Sequence, residues 1–419
     1  MPTQNRLARL FTALSLSLTT LSFAADTPQW NAFRGTGDST STLNNLPTTW
    51  SNTENVAWRK DLAGYGQSSP VVWDEHVYVT SSSGTQKETL IVECFDLTSG
   101  KLLWPKELPA SQKAAEVSDM ISQAAPTPVA DADGLVTFFE SGDLVALDPK
   151  GDIRWQRSLT NEYGEFKGGH GVGSSLINTP DHLVLLIDHD GPSYLVAIDK
   201  ASGKNKWKVD RDPRVSWSSP RYLLHDDSPQ IIVSSNGIVE AFDAVNGKRL
   251  WWTEAITGNT VASPTHYQNA VLIASSNPNN CAAIELGGSD DITDSHLLWR
   301  AQSVTSSFAS PLVHRDVAYY VNRAGALQAT NLTDGSLLHE RRLPASCWAS
   351  PLAANDHLYF FSTNGQTTVF DASDPENLAE IAVNSISVPE GDRIYGFAVA
   401  PETLVLRSGS ELLAIRPSP

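Results

Sequence analysis

Three neighbouring segments carry the side chains best suited to binding or chemistry. The first, GGHGVG, holds His170 among glycines that allow close backbone approach. The next two, DHDGPS and DRDPRVSW, supply the candidates Asp188, His189, Asp190, Arg211, Arg214 and Trp217. Together these groups can form a polar binding site. The same residue types also stabilise loops through hydrogen bonds and ion pairs, and that alternative stays open.

The sequence contains no familiar catalytic motif. A nucleophile elbow, a phosphate-binding glycine loop and a metalloprotease motif do not occur. The acidic DHDG loop has oxygen ligands that hard cations favour, but it lacks the ligand spacing of an EF-hand. Only three cysteines occur, Cys94, Cys281 and Cys347, and they are far apart in the sequence, which argues against a disulfide framework or a zinc ribbon. We therefore predict no catalytic residues and no metal site.

An internal repeat predicts the elements that position these loops. The phrases FDLTSGKLLW, IDKASGKNKW and FDAVNGKRLW each place Trp eight residues after Asp. A small-residue opening such as SSPVV precedes each phrase and recurs at Pro70, Pro128, Leu176, Pro220, Pro264, Pro311, Pro351 and Ala398. The period is roughly 47 residues with four short apolar runs per unit, which is typical of β-propeller blades. We predict an all-β propeller of four-stranded antiparallel blades.

The ends of the repeat region indicate how the ring closes. The segment ENVAWRKDL, with Trp58, resembles a fourth strand but precedes the first opening, and the last copy ends at Arg416 without such a strand. The N-terminal strand should therefore complete the last blade, which removes a free sheet edge. This gives eight blades over residues 56–416; seven is the alternative, because the last two copies are degenerate. Residues 25–55 should form an extended strap over the outside of the ring.

A second group of candidates comes from the position three residues before each opening. Its occupants are Gln67, Ala125, Gly173, Trp217, Val261, Phe308, Trp348 and Tyr395. This position begins the innermost strand, so the channel mouth should be aromatic on one side and open on the other. Such a rim suits the binding of a planar ligand, a sugar ring or a partner's side chain. The alternative is that the aromatic rings simply fill the channel. Arg323 and Asn364, in loops of neighbouring blades, should add polar contacts.

The N-terminus has the pattern of an export signal. Arg6 and Arg9 precede an apolar run from Leu10 to Phe23, and cleavage is expected after Ala24. The run is shorter than the ~20 residues that a membrane-spanning helix needs. No cysteine follows the expected cleavage position, so we expect no lipid anchor. Residues 1–24 are thus predicted to be a signal peptide, and the mature protein to be periplasmic or secreted.

The charge of the chain restricts its partners. The formal net charge is −17, which should repel nucleic acids and anionic lipid surfaces. Hydrophobic residues make up 41% of the chain and charged residues 18%, which is enough apolar material for a large packed core. A protein partner or a small molecule at the propeller mouth is therefore expected, with the protein itself a monomer.

The repeat phrases over residues 56–416 resemble those of the pyrroloquinoline quinone (PQQ)-like β-propeller superfamily, and small exported members of the BamB type are most similar. The resemblance implies two kinds of function. One is PQQ-dependent dehydrogenation with Ca²⁺, whose alcohol-oxidising members carry adjacent cysteines that are missing here. The other is cofactor-free binding or assembly. We expect an exported, non-catalytic binding or scaffold protein without a cofactor; a divergent PQQ-dependent dehydrogenase and a carbohydrate-binding propeller are the alternatives.

Overall fold

The protein folds into eight four-stranded antiparallel sheets arranged as a ring. The computed structural model describes residues 30–114, 117, 121–375 and 377–417. The innermost strand of the first blade contacts the innermost strands of the second and of the last, so the ring is closed. The predicted all-β propeller is confirmed, and the number of blades is eight rather than seven. The expected signal peptide, residues 1–24, lies outside the described residues.

The strands of each blade are given from the channel outwards. Blade 1 contains Val71–Trp73, His76–Ser83, Thr89–Asp96 and Leu102–Pro109, and blade 2 contains Val129–Asp131, Gly134–Phe138, Asp143–Leu147 and Ile153–Ser158. Blade 3 contains Ile177–Asn178, Leu183–Ile187, Ser193–Ile198 and Asn205–Arg211, and blade 4 contains Arg221–His225, Ser228–Ser235, Ile238–Asp243 and Arg249–Thr253. Blade 5 contains Thr265–Tyr267, Ala270–Ile273, Cys281–Glu285 and Leu297–Ala301, and blade 6 contains Leu312–His314, Val317–Val321, Ala326–Asn331 and Leu337–Arg342. Blade 7 contains Leu352–Ala354, His357–Phe361, Gln366–Asp371 and Ala379–Ser385, and blade 8 contains Gly396–Ala400, Thr403–Arg407, Glu411–Ile415 and Val56–Asp61.

Three short elements lie outside this pattern. A helix, Leu159–Tyr163, follows blade 2, and the hydroxyl of Ser158 accepts a hydrogen bond at its N-terminus from the Asn161 N–H. The strand Thr40–Ser41 pairs in parallel with the innermost strand of blade 7. The strand Asp290–Asp291 pairs in parallel with the outermost strand of blade 4. No helix in the described part of the chain is long and apolar enough to cross a membrane.

The repeated Gly and Trp join neighbouring blades at five of the eight junctions. In blade 2, Trp155 donates its indole N–H to the carbonyl of Lys200 in blade 3, at 2.9 Å. Its ring lies against Gly203, whose φ is 71° and where a Cβ atom would come within 2.6 Å of the indole. Glycine is needed here for both reasons. The same pairing joins Trp58 to Gly100, Trp104 to Gly151, Trp207 to Gly247 and Trp299 to Gly335.

The N-terminal strand closes the ring as predicted. Val56–Asp61 pairs antiparallel with Glu411–Ile415 and so supplies the outermost strand of blade 8. Trp58 on this strand donates its indole N–H to the Leu97 carbonyl of blade 1, at 3.0 Å. The first and last parts of the chain are therefore joined by the same contact that joins four other pairs of neighbouring blades.

The segment before that strand begins at one end of the central channel, where residues 30–41 lie against innermost strands. The Trp30 and Asn31 carbonyls accept backbone hydrogen bonds from the innermost strands of blades 1 and 2. The Arg34 guanidinium, only 3% exposed, donates to the carbonyls of Pro264 and Pro311, at the innermost strands of blades 5 and 6. Burial lowers the pKa of Arg34 to about 10. The later part of the segment lies on the outside of the ring: the Trp50 N–H donates to the Asn384 side chain, whose amide donates to the Thr48 carbonyl, on the outermost strand of blade 7.

Candidate functional site

The central channel contains a cavity that opens at one mouth. Its volume is about 370 Å³, within the range of about 300–1,000 Å³ that is usual for ligand pockets. All eight residues that the repeat places three before the openings line it: Gln67, Ala125, Gly173, Trp217, Val261, Phe308, Trp348 and Tyr395. Phe33, from the segment that crosses the far end, lines the same cavity. The segment at the far end of the channel therefore forms part of the cavity wall.

A layer of hydroxyl groups surrounds the cavity below this rim. The residue just before each opening is Ser or Thr in the first seven blades. From blade to blade, the backbone N–H of one such residue donates to the hydroxyl of the next: Ser69 to Thr127, Thr127 to Ser175, Ser175 to Ser219, Ser219 to Ser263, Ser263 to Ser310 and Ser310 to Ser350. Blade 8 carries Phe397 at this position, and that ring packs against Trp30. The layer ends there.

The aromatic side of the rim is one continuous arc. Phe308 stacks on Trp348 with a centroid separation of 4.7 Å, and Trp348 meets Tyr395 edge-on at 5.5 Å. Tyr395 in turn meets Tyr65 at 6.1 Å, and their hydroxyl oxygens are 2.7 Å apart. The four rings span blades 6, 7 and 8 and the segment before blade 1. Contacts between the rings fix their orientation before any partner arrives.

Two guanidinium groups lie over this arc. Arg323 lies over the Phe308 ring, 5.9 Å from its centroid, and Arg393 lies over the Trp348 ring at 4.9 Å. These distances are within the range of cation–π contacts. Burial, together with the hydrogen bond to Tyr395, raises the pKa of Tyr65, so its hydroxyl stays neutral at physiological pH. The rim therefore combines apolar ring faces with positive charge.

The structure brings together half of the side chains that the sequence nominated. The six that line the cavity are His170, Trp217, Phe308, Arg323, Trp348 and Tyr395. His170 meets Trp217 edge-on at 6.1 Å, and the Trp217 indole N–H donates to the Gly171 carbonyl at 2.9 Å. The glycine-rich loop is thus joined to the aromatic rim.

Asp188 and Arg211 belong instead to a buried ion network between blades 3 and 4. The Arg211 side chain is 3% exposed and lies between Asp188, at 3.1 Å, and Glu240. Although burial disfavours its charge, the two carboxylates raise the pKa of Arg211. Asp188 also accepts a hydrogen bond from Ser235, and Glu240 pairs with Arg249 at 3.1 Å. The loop-stabilising interpretation holds for Asp188 and Arg211, because their charges are directed at each other.

The other nominated residues also lie outside the cavity. His189 is 2% exposed, and its Nδ1 accepts hydrogen bonds from the backbone N–H groups of Gly191 and Lys167. Burial lowers the pKa of His189, which keeps it neutral. Asp190 is exposed beside Gly168. Arg214 donates to the Asp212 carbonyl, and Asn364 donates to the Gln366 side chain within its own turn.

Four features of the site were missed in the sequence. Tyr65 lies in the linker before the first opening, outside the repeat register, and Arg393 lies two residues before an aligned position. Phe33 lies in a segment with no repeat pattern. The hydroxyl layer had a signal, because Ser or Thr precedes seven of the eight openings. Small residues at this position would also be expected if they only allowed close packing before each strand, so the pattern alone did not indicate a layer of hydrogen-bond donors.

The cysteines are internal, and the acidic and imidazole groups do not form a cation site. Cys94, Cys281 and Cys347 are buried free thiols, and burial raises the pKa of each to about 12. Within the described residues, no group of three or more His, Cys, Asp or Glu side chains could hold a metal ion.

Comparison with known proteins extends the geometric description. The family model described as outer membrane protein assembly factor BamB matches residues 40–191 and 191–417. The chain is 23% identical over 281 residues to the assembly factor BamB of Shewanella oneidensis, 25% over 224 residues to that of Moranella endobia, and 24% over 217 residues to that of Bordetella pertussis. The matched regions cover 66%, 53% and 50% of this chain, and 64%, 52% and 46% of those proteins.

Solved structures show the same fold at low sequence identity. BamB from Moraxella catarrhalis superimposes with a TM-score of 0.62 at 15% identity, covering 86% of this chain and 97% of that one. A quinohemoprotein alcohol dehydrogenase from Pseudomonas putida gives 0.60 at 12% identity, covering 94% and 82%. Both kinds of protein thus share the propeller, and only the family model and the sequence relatives separate them. On that ground, the chain belongs to the BamB family of PQQ-like β-propellers.

Proposed function

We propose that this protein is an exported, non-catalytic scaffold in outer-membrane protein assembly, and that it binds a protein partner at the aromatic mouth of the propeller. The observation that carries the proposal is the match of the BamB family model to nearly all of the described chain, combined with a preformed aromatic arc around the cavity at the mouth. In this proposal the protein works in the periplasm and holds no cofactor.

The chemistry of the rim supports a protein partner. Aromatic and arginine side chains carry most of the binding energy in protein interfaces, especially where they surround a pocket that excludes water. Here Phe308, Trp348 and Tyr395 supply the rings, and Arg323 and Arg393 supply the guanidinium groups. The rings already contact one another, so little side-chain entropy is lost when a partner's side chain packs against them.

The test is restoration of assembly in a strain that lacks the gene. The folded fraction of outer-membrane β-barrel proteins is measured by their heat-modifiable mobility on gels. We expect the deletion to lower this fraction, the wild-type gene to restore it, and the double variant Phe308→Ala, Trp348→Ala to fail.

A matched control is available on the outer strand of blade 4. Trp252 is partly exposed there, with the Arg249 guanidinium 4.0 Å from its ring centroid, so it has the same chemistry far from the mouth. Trp252→Ala should restore assembly fully. Circular dichroism and melting curves establish that all variants fold. Full restoration by the double variant, or no effect of the deletion, would contradict the proposal.

A further inference from the structure

The wall of the cavity has more hydrogen-bond donors than acceptors for them. Six hydroxyl groups each accept an N–H from the preceding blade, but nothing among the described residues accepts their own hydrogen; they belong to Thr127, Ser175, Ser219, Ser263, Ser310 and Ser350. These residues are between 1% and 8% exposed, and all six line the cavity. A hydroxyl can donate while it accepts, so the contents of the cavity must satisfy these donors.

The charged residues at the cavity also favour a hydrogen-bond acceptor. The chain has 47 acidic residues, yet no Asp or Glu is among the residues that line the cavity. Arg323 and His170 do line it, and Arg393 lies over the Trp348 ring. Hydroxyl donors and guanidinium groups in a partly dehydrated pocket favour a negatively charged acceptor. An anion is thus favoured inside a protein that otherwise repels anions.

The aromatic arc places a second requirement on the occupant. The aromatic residues precede the hydroxyl residues by two positions in the chain, so the two layers are at most about 7 Å apart, the span of two extended residues. A flat ring held against Phe308 and Trp348 would therefore direct a neighbouring carboxylate towards the hydroxyls. Phe33 lines the cavity at its far end, beyond the hydroxyl layer.

We infer that the mouth selects an aromatic group with a carboxylate directly beside it. This inference rests on the proposed function, because it specifies what the partner inserts at the same mouth. Two sources have this chemistry: a protein segment in which an acidic residue adjoins an aromatic one, and a free aromatic carboxylate. The arginine side chains would bind the carboxylate, and the aromatic rings would pack against the ring, whichever source supplies them.

Calorimetric titration of the purified protein with matched probes tests the inference. One pair is a blocked tetrapeptide with adjacent Asp and Phe and its Asn-Phe counterpart; the other is 2-naphthoate and 2-naphthamide. Acetate tests the anion alone. The charged member of at least one pair should bind about tenfold tighter than the neutral one, as expected for a hydrogen bond to a charged group. Acetate should bind more weakly than either.

Two arginines of blade 6 provide the matched variants. Arg323 follows the second strand at the mouth, whereas Arg315 lies in the turn before that strand, at the other end of the blade, where it pairs with Asp356. Arg323→Gln should abolish most of the preference for the charged probe, and Arg315→Gln should leave it unchanged. Ser219→Ala should weaken the charged probe more than the neutral one; because Arg323 is exposed, its variant remains informative if Ser219→Ala unfolds.

Each outcome has a definite meaning. Selective binding of the Asp-Phe peptide identifies a protein segment as the source, and selective binding of 2-naphthoate alone identifies a small molecule. Equal binding of charged and neutral probes, or a preference that neither Arg323→Gln nor Ser219→Ala reduces, overturns the inference. If that happens while the mouth variants still fail to restore outer-membrane assembly, only this inference is lost and the proposed function stands.

Discussion

Replacing Arg211 with alanine should destabilise the propeller strongly without changing its mouth. The substitution removes a charge that lies between Asp188 and Glu240, whose side chains are 0% and 5% exposed. Removing one partner of a buried ion pair typically costs about 3–5 kcal/mol, since the remaining charge stays buried without compensation. Glu240 keeps Arg249, while Asp188 keeps only the Ser235 hydroxyl. We therefore expect a loss near the lower limit, about 3 kcal/mol.

Thermal unfolding measures this loss directly. The unfolding entropy is about 2.1 cal/mol/K per residue, which for a propeller of roughly 360 residues that unfolds as one unit gives about 0.8 kcal/mol/K. A loss of about 3 kcal/mol then lowers Tm by about 4 °C. Arg315→Ala is the control, because Arg315 and Asp356 form an exposed pair, 44% and 42% exposed. Exposed pairs contribute about 0–1 kcal/mol, so this Tm should fall by about 1 °C at most.

A neutral version of the network separates charge from packing. The triple variant Arg211→Met, Asp188→Asn, Glu240→Gln removes the charges of all three residues and keeps side chains of similar volume. It should be more stable than Arg211→Ala, because no buried carboxylate is left unpaired. A Tm for Arg211→Ala within 1 °C of wild type, or a triple variant as unstable as the single one, would refute the reasoning. A binding site at Asp188 and Arg211 would then have to be considered again.

Three further predictions concern the blade contact, acidity and the cofactor. Gly203→Ala should lower Tm more than Gly237→Ala: both glycines have positive φ, but a Cβ at Gly203 meets the Trp155 ring at 2.6 Å, whereas a Cβ at Gly237 meets nothing within 4 Å. Acidification should lower Tm progressively below pH about 6.5. Below that pH the histidines bind protons more readily in the unfolded chain than in the folded protein, so protonation favours unfolding. Burial lowers the pKa of five of them, His182, His189, His266, His314 and His339. His189→Gln should make this pH dependence shallower, and a Tm independent of pH between 7 and 5 would exclude the mechanism. PQQ with Ca²⁺ should leave Tm unchanged, whereas a specific ligand at about 100 times its Kd would add about 2.7 kcal/mol of stability, and a rise abolished by Trp348→Ala would favour the dehydrogenase instead.

The sequence predicted the features that depend on the repeat. Strand order, the number of blades and the closing strand with Trp58 all follow from a pattern that returns at fixed spacing, so position along the chain determines position in space. For the same reason, aligned residues such as Trp348 and Tyr395 could be placed on one rim. His170 of the glycine-rich loop and Arg323 line the same cavity.

The rest depends on contacts that no spacing rule covers. Asp188 and Arg211 were nominated as ligands because both lie in mouth loops, but each is neutralised by a partner on another strand. Whether a charged side chain in a mouth loop lines the cavity or forms a buried ion pair depends on its neighbours in the fold, which the sequence does not show. Tyr65 joins the aromatic arc from a linker, and Arg34 joins blades 5 and 6 from a segment outside the repeat. Only the folded chain brings these residues to the axis.

The segment at the far end of the channel limits the size of an occupant that the cavity can hold. The Arg34 side chain joins blades 5 and 6 below the hydroxyl layer, and Phe33 lies at the floor of the cavity. An occupant that enters by the mouth therefore meets Phe33 and the segment that carries it. Insertion of one or two side chains fits a cavity of about 370 Å³, whereas a longer segment must lie across the rim. Affinity should then depend on the few residues that enter, which makes the single-residue substitutions at the arc a sharp test of how the scaffold holds its partner.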